Sequence, residues 1–476
     1  MSGLRGADGT AGGDAAVGGA APRLLFVALA NYLGIERFPA AMGALGADCA
    51  VISPPGFSCL ASRFVRHWYP LPAHRGLWLG LAFVRRELEK AVRGYVPDLV
   101  IPLDDISAQY LRVFGRSTSL TPQLRDLLER SFGRPEGYAA VCSRAAAMDA
   151  ARSLGIRVPN YLASRDSAEL LSRAAEWGYP VVLKAENSCG GHGVMIARNA
   201  AELRFAIERF HGGLLWRRSR RAAVSAFWHA AGLVETASAP PLMQTYMSGR
   251  PAMRTVSAWR GEVLEGVSFI AEKVHPEPTG SSTRIRHVDH AEMAESVRRF
   301  IAAKGSSGIL SFDFMLDSVT GAAALIEINA RPIATTHLGK LFGKDPCAPL
   351  LARLAGTAYD PIAPRVAETR PVALFPKELI REPRRPERLH ESGILHDVPY
   401  DDPSVLQLHL AGLRLAHPRE IAAIERTIAA ARVEAQLAET TGRAAAAARY
   451  DCAALERSFR ATVAPAWGFF RQSGAD

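Results

Sequence analysis

Six consecutive apolar residues, Leu24-Leu25-Phe26-Val27-Ala28-Leu29, open the first ordered stretch of the chain. A run this short and this unbroken suits a strand buried on both faces, which is the condition of a parallel sheet covered by helices. The next 70 or so residues keep the pattern. A helical stretch, 38–45, leads through Gly46-Ala47-Asp48 to a second strand, Cys49-Ala50-Val51-Ile52, and a helix over 77–93 leads to a third, Leu99-Val100-Ile101-Pro102. Strands alternating with helices at this spacing predict a doubly wound parallel sheet. No G-x-G-x-x-G comes after the first strand, so a dinucleotide site is not indicated. Ligands of such sheets bind at the carboxyl ends of the strands, where Asp104 and Asp105 stand. Two roles are open to these acids: contact with a ligand, or capping of the next helix.

The 476 residues allow two to four folded units, and an apolar fraction of 48% supplies them with cores. The first 22 residues are rich in glycine and alanine and lack the apolar centre of a signal peptide, so they read as a disordered tail. Gly76–Val84 falls well short of the roughly 20 residues a spanning helix needs. Trp68, Tyr69 and Trp78 read as core packing, with contact at a membrane surface as the alternative. The six cysteines form no C-x-x-C pair, which fits a reduced, cytoplasmic setting. A net charge of +10 is compatible with a nucleic-acid partner or with a cleft for phosphates. Only the basic cluster at 204–221 speaks for the former, and no nucleic-acid partner is expected.

Beyond a turn-rich link at 115–137, helices are expected at 143–154, 167–177, 200–210 and 290–304. Strands are expected at 179–184, 242–247, 254–259 and 263–270, and a hairpin at 308–316 and 323–328. An insertion at 211–239, a loop at 271–286, a Pro/Arg-rich segment at 381–388 and an alanine-rich helix around 418–449 complete the pattern, which has no internal repeat.

Lys184 ends the apolar strand Tyr179–Lys184 and is followed by Ala-Glu-Asn-Ser-Cys-Gly-Gly-His-Gly. Gly190, Gly191 and Gly193 permit a concave nest of backbone amides for phosphate oxygens, with the lysine as a point charge beside it. A tight turn with a snorkelling lysine is the plainer alternative, and Cys189 reads as filler. Asp313 lies between Phe312 and Phe314, which point to the opposite face. Glu327 and Asn329 are two apart and share a side, with Arg331 two further on. If the two strands pair, three hard oxygen donors converge, as magnesium held on nucleotide phosphates requires. His287 and His290 have no further Cys or His nearby to complete a zinc site.

In this order over residues 140–340, these elements resemble the ATP-grasp superfamily. The resemblance puts Arg144 at an early basic position, Lys184 with Gly190, Gly191 and Gly193 on the phosphates, and Met243–Gly249 at a hinge. There Gln244, Thr245 and Met247 would hold adenine, while Asp313, Glu327 and Asn329 bind the metal. It implies Mg2+ (or Mn2+) and ATP, small-molecule carboxylate and amine substrates, and catalytic work by Arg331, Arg286 and Lys273. It also implies a mixed α/β and α+β architecture. A tail, 1–22, precedes a Rossmann-like domain, 23–135; a two-lobed ATP-grasp domain, 136–355, is followed by a C-terminal region, 356–476, with a long Ala-rich helix. A homo-oligomer is compatible with it. The expected reaction is ADP-forming ligation through an acyl phosphate. A kinase or carbamoyl-phosphate-type enzyme on the same fold, and a non-catalytic nucleotide-binding regulator, are its alternatives. Two departures stand out: arginine replaces the usual lysine at 144, and Pro251 stands where the family commonly has a ribose-binding acid.

Overall fold

The structure, a computed structural model, describes residues 20–72, 77–185, 193–216, 240–391 and 393–438. Three sheets organise it. The first is wholly parallel and is built from β1 (Arg23–Val27), β2 (Asp48–Ser53), β3 (Val65–Pro70) and β4 (Leu99–Pro102), in the order β3-β2-β1-β4. Both faces are covered, which explains the unbroken apolar runs. Leu25, Val27 and Val100 pack with Val84, Leu88 and Leu111 on one side. Leu24, Phe26 and Ile101 pack with Phe38 and Met42 on the other, where Leu350 and Leu351 of a distant helix, Cys347–Ala355, join them. The strand order reverses between β1 and β4, so a crevice opens at their carboxyl ends.

The stretch 115–137 is more than a link. It contains the helix Pro122–Phe132, whose Leu124, Leu127, Leu128 and Phe132 enter the core under the first sheet. Thr121 caps it by accepting from the Leu124 amide, and Pro122 sits at the first helical position, where a missing N–H costs nothing. The strand β3 also goes beyond the expected pattern; it is an edge strand, and Trp68 is exposed there, its indole donating to the Ser53 carbonyl.

A small antiparallel sheet comprises β5 (Tyr161–Ala163), β6 (Val181–Lys184), β7 (Val194–Ala197) and β8 (Leu242–Thr245), in the order β5-β8-β6-β7. The helices Ser167–Trp177 and Ala200–Trp216 cover one face through Leu170, Ala174, Leu203 and Ala206. The glycine loop positions Cys189, Gly190 and Gly191, and the greater part of the 211–239 insertion, lie outside the described residues.

The third sheet has seven strands: β9 (Gly249–Trp259), β10 (Glu262–His275), β11 (Ser281–His287), β12 (Gly308–Asp317), β13 (Ala323–Asn329), β14 (Pro371–Ala373) and β15 (Leu395–His396), in the order β13-β12-β9-β10-β11-β14-β15. Arg260 and Gly261, both at positive φ (51° and 91°), make the two-residue turn between β9 and β10. The segment expected as a cleft loop, 271–286, is instead the arms of the β10–β11 hairpin, with only the short stretch 276–280 between them. The Pro, Thr and Ser residues that suggested a loop serve that turn and its flanks. One face of this sheet packs Leu310, Phe312 and Phe314 against Met293, Val297 and Phe300 of the helix Ala291–Lys304. The strands β14 and β15 extend the same sheet, and the helix Pro403–Ala416 packs Val405, Leu406 and Leu413 with Leu33 and Ala61 of the leading unit. No helix among the described residues is long and apolar enough to cross a membrane.

Candidate active site

Antiparallel pairing sets Asp313 of β12 directly opposite Glu327 of β13, and Ser311 opposite Asn329. Cross-strand partners share a face, so the two acids and the amide converge as the sequence spacing requires. The opposite face belongs to Phe312 and Phe314, which are core. Asp313 is half-buried, and burial, then the neighbouring Glu327, pushes its carboxyl up to about 7. The Asn329 amide counters by donating from Nδ2 to Asp313 Oδ2 at 2.9 Å.

Two cations reach this spot from outside the sheet. Lys184, at the end of β6, is buried, and its Nζ lies 3.3 Å from the Ile326 carbonyl oxygen. Burial pushes its ammonium down to about 8, an effect moderated by Glu327. Arg144 opens the helix Arg144–Ser153, which Ser143 caps. Its Nη2 lies 2.7 Å from Glu327 Oε1, and Nη1 donates to the Ala185 carbonyl. The guanidinium thus joins the end of the small sheet to the acids of the large one.

The strand β13 runs on through Ala330 to Arg331. Arg331 is buried and forms a two-pronged pair with Asp105 of the leading unit, Nε to Oδ1 at 2.7 Å and Nη2 to Oδ2 at 2.8 Å. Its Nη2 is also 3.4 Å from Asn329 Oδ1. Burial works against the Arg331 charge, but Asp105 outweighs it and raises the pKa well above the usual guanidinium value. The adjacent acids after β4 therefore divide the two roles open to them. Asp104 caps the helix Asp105–Gly115, accepting from the Ser107 and Leu29 amides, while Asp105 faces the site. A second residue of that helix, Arg112, donates to the Ala330 carbonyl at 3.1 Å. Sequence reading missed Arg112. Its signal was a charge four residues beyond Ala108 on a helix face otherwise made of Ala108, Leu111 and Gly115.

The hinge residues fall at the end of the small sheet. Gln244 is buried opposite Val182, and its Nε2 has no hydrogen-bond partner among the described residues. Thr245 Oγ1 accepts from the Asn160 amide, and the Tyr246 amide donates to the Pro180 carbonyl. Met247 is half-buried just beyond, and Gly193 takes a positive φ of 74° where the loop rejoins β7. Gly190 and Gly191 lie outside the described residues.

Lys273 and Arg286 are not gathered with these groups. Both belong to the β10–β11 hairpin, where Lys273 stands opposite Arg284 at a break in register. Arg286 aligns with Ile270, Ala252 and Phe314, which places it on the face opposite to Asp313, and it is ion-paired with Glu272. The expectation that they line a loop over the cleft gives way to strand positions, because the residues between Ala271 and His287 pair as a hairpin.

The donor set suits magnesium and nucleotide phosphate. Two carboxylates and an amide oxygen are hard ligands, few in number, and the half-buried Asp313, opposite Glu327, is ionised at low cost only beside added positive charge. The orphaned amide of Gln244 is the kind of buried group that a ligand satisfies.

Residues 143–235 match the family described as the ATP-binding domain of the carbamoyl-phosphate synthase L chain. The uncharacterized protein y4rH of Sinorhizobium fredii is 35% identical over 94 residues, a fifth of this chain and a fifth of that one. Among solved structures, the biotin carboxylase domain of the Hydrogenobacter thermophilus 2-oxoglutarate carboxylase, in complex with MgADP, ADP and bicarbonate, superposes with a TM-score of 0.50. It is 16% identical over 73% of each chain. The biotin carboxylase of Campylobacter jejuni gives a TM-score of 0.51 at 15% identity, over 71% of this chain and 72% of that one. The Staphylococcus aureus N5-carboxyaminoimidazole synthetase gives 0.51 at 14% identity, over 78% of this chain and 86% of that one. At such identities the likeness is one of fold.

Proposed function

We propose, for a chain that has the ATP-grasp fold, an ATP- and Mg2+-dependent ligase that joins a carboxylate to an amine and releases ADP. The observation that carries this reading is the meeting of Lys184 and Arg144 with Asp313, Glu327 and Asn329, brought from two sheets and a helix to one spot. Phosphoryl transfer asks for positioning and fixed charge more than for a covalent nucleophile, and that is what these side chains offer.

In this reading Lys184, Arg144 and the amides of the glycine loop hold the ATP phosphates. Asp313, Glu327 and Asn329 would hold the magnesium, which would supply positive charge for the transferring phosphoryl group. The hinge, Gln244 to Met247, holds adenine, and Arg331 holds the substrate carboxylate. A carboxylate oxygen forms a bond to the γ-phosphorus as the bond to ADP breaks. The amine then attacks the acyl carbon, phosphate leaves, and the proton of the amine passes to solvent. Lys273 and Arg286, on the hairpin, are not part of this set. A reduced, cytoplasmic setting belongs to this reading, and in it the buried Cys49, Cys59, Cys142 and Cys347 stay thiols.

The test uses hydroxylamine as the amine, with Mg·ATP and a panel of carboxylic acids. The expected products are ADP and a hydroxamate. Lys184→Met is expected to lower the rate at least 100-fold, about 2.7 kcal/mol of transition-state stabilisation, with an unchanged melting transition. AMP and pyrophosphate would refute phosphoryl transfer. ADP without hydroxamate across the panel would favour a kinase, in which the acceptor is not an activated acyl group.

A further inference from the structure

At the carboxyl ends of β1 and β4, one ion pair bridges the leading unit and the end of β13. Arg331 gives two parallel hydrogen bonds to Asp105, at 2.7 and 2.8 Å. The Tyr32 ring closes one side of the guanidinium, 5.1 Å from its central carbon, and the Tyr32 hydroxyl is anchored on the Leu103 carbonyl. On the other side Arg331 continues through Asn329 to Asp313. The Arg331 side chain is 7% exposed and that of Asp105 is 31% exposed, so the carboxylate is the open member of the pair. The other acid of this turn, Asp104, is already committed to the Ser107 and Leu29 amides.

Charge balance decides what such a pair accepts. A simple carboxylate arriving at Arg331 either displaces Asp105, stranding a carboxylate at the mouth of the site, or crowds a second anion onto one guanidinium. Both are costly in a partly desolvated cleft. A ligand that brings a cation next to its carboxylate has neither cost, because each half of the pair exchanges one partner for another. We propose that Asp105 selects the acid substrate: with Arg331 it forms a paired subsite for an α-amino acid, Arg331 taking the carboxylate and Asp105 the α-ammonium group. This rests on Arg331 as the carboxylate-binding group of the function proposed above. Asp105 is then a specificity residue, and a charge left unpaired is how it rejects the wrong acid.

The experiment measures ADP release from Mg·ATP with hydroxylamine as nucleophile. It compares the standard α-amino acids, in both enantiomers, with their 2-hydroxy acid counterparts, which keep carboxylate and side chain but lose the cation. Wild-type protein is expected to turn over at least one amino acid with kcat/KM 10-fold or more above its hydroxy acid. Asp105→Asn is expected to raise KM for that amino acid at least 10-fold while kcat/KM for the hydroxy acid holds or rises. Asp105→Glu, which keeps the charge, is expected to restore the preference for the amino acid. It also keeps the test open if the asparagine variant does not fold. Three results overturn the proposal: hydroxy acids used as well as amino acids, equal losses for both classes in Asp105→Asn, or no amino acid turned over by protein that binds Mg·ATP. Turnover of plain carboxylates alone would remove the amino-acid subsite and leave the ligase standing. Failure to bind Mg·ATP would remove the ligase itself.

Discussion

Arg112 is a fully buried guanidinium whose hydrogen bonds run to carbonyls, those of Ala108 and Ala330, each at 3.1 Å. The Phe132 ring lies 4.5 Å from its central carbon. Burial lowers its pKa from the usual value. Replacing it with methionine has two opposed effects. The loss of charged hydrogen bonds to buried carbonyls destabilises, while the removal of a buried charge offsets part of that cost. Arg112→Met is therefore expected to lower stability by about 1–3 kcal/mol, measured by urea unfolding, without abolishing the fold. At this scale the sequence was partly legible. The spacing of Asp313, Glu327, Asn329 and Arg331 put them on one side of two strands, and pairing placed Asp313 opposite Glu327. The division of labour between Asp104 and Asp105 was not legible, since it depends on which of two adjacent carboxylates a strand 226 residues away in the chain reaches. Nor was the burial of Arg112, because a single arginine on an amphipathic helix looks the same whether solvent or a second unit covers it.

Elements meet closely where the helix Pro122–Phe132 ends against the turn that enters β12. Gly133 has a φ of 86°, and a Cβ there would lie 2.0 Å from the Gly305 carbonyl oxygen. The Ser307 amide donates to the Phe132 carbonyl, and the Arg134 amide to that of Gly305. Gly133→Ala combines a disfavoured backbone conformation with a backbone clash, and is expected to cost about 3 kcal/mol or more. Gly94→Ala, with open space around the added methyl group, is the control, expected within about 1 kcal/mol of wild type. Thermal and urea unfolding of the two variants check this. The same junction shows why the helix was read as a link. Glycine and proline punctuate 115–137, and the apolar spacing of Leu124, Leu127, Leu128 and Phe132 is confined to three turns between them. The second half of β10 and the whole of β11 were hidden for a related reason, since their charged and hydroxylated residues near the turn resemble loop composition until the partner strand is known.

Across the whole molecule, parts far apart in sequence close on one another through enclosed charges. His337 Nε2, beyond β13, lies 2.9 Å from Asp397 Oδ1, beyond β15, and Arg37 of the leading unit lies 2.5 Å from the same oxygen. His409 on the helix Pro403–Ala416 pairs with the buried Glu36 at 3.0 Å. Burial holds His337 below its ordinary value near 6.5, partly countered by Asp397. The unfolded chain therefore takes up this proton first as pH falls, so the contribution is present above about 6.5 and is lost on acidification below it. His275, His287 and His396 are lowered as well and act with the same sign. These histidines are expected to lower the unfolding free energy between pH 7 and 5, each by up to about 1.4 kcal/mol per pH unit, against the opposite contribution of Asp313 and Asp104, whose carboxyls burial raises to about 7 and about 6. Urea titrations should show a shallower decline in His337→Gln.

The pairing of Arg37 with Asp397 spans 360 positions of the chain. During synthesis at roughly 5–20 residues per second, the leading unit leaves the ribosome about 20–70 s before its partner. For that interval Arg37 and Glu36 lack their counter-charges, and Leu33 and Ala61 lack the helix that packs with them. Until the last described elements arrive, the leading unit keeps these charges unpaired and this apolar surface uncovered.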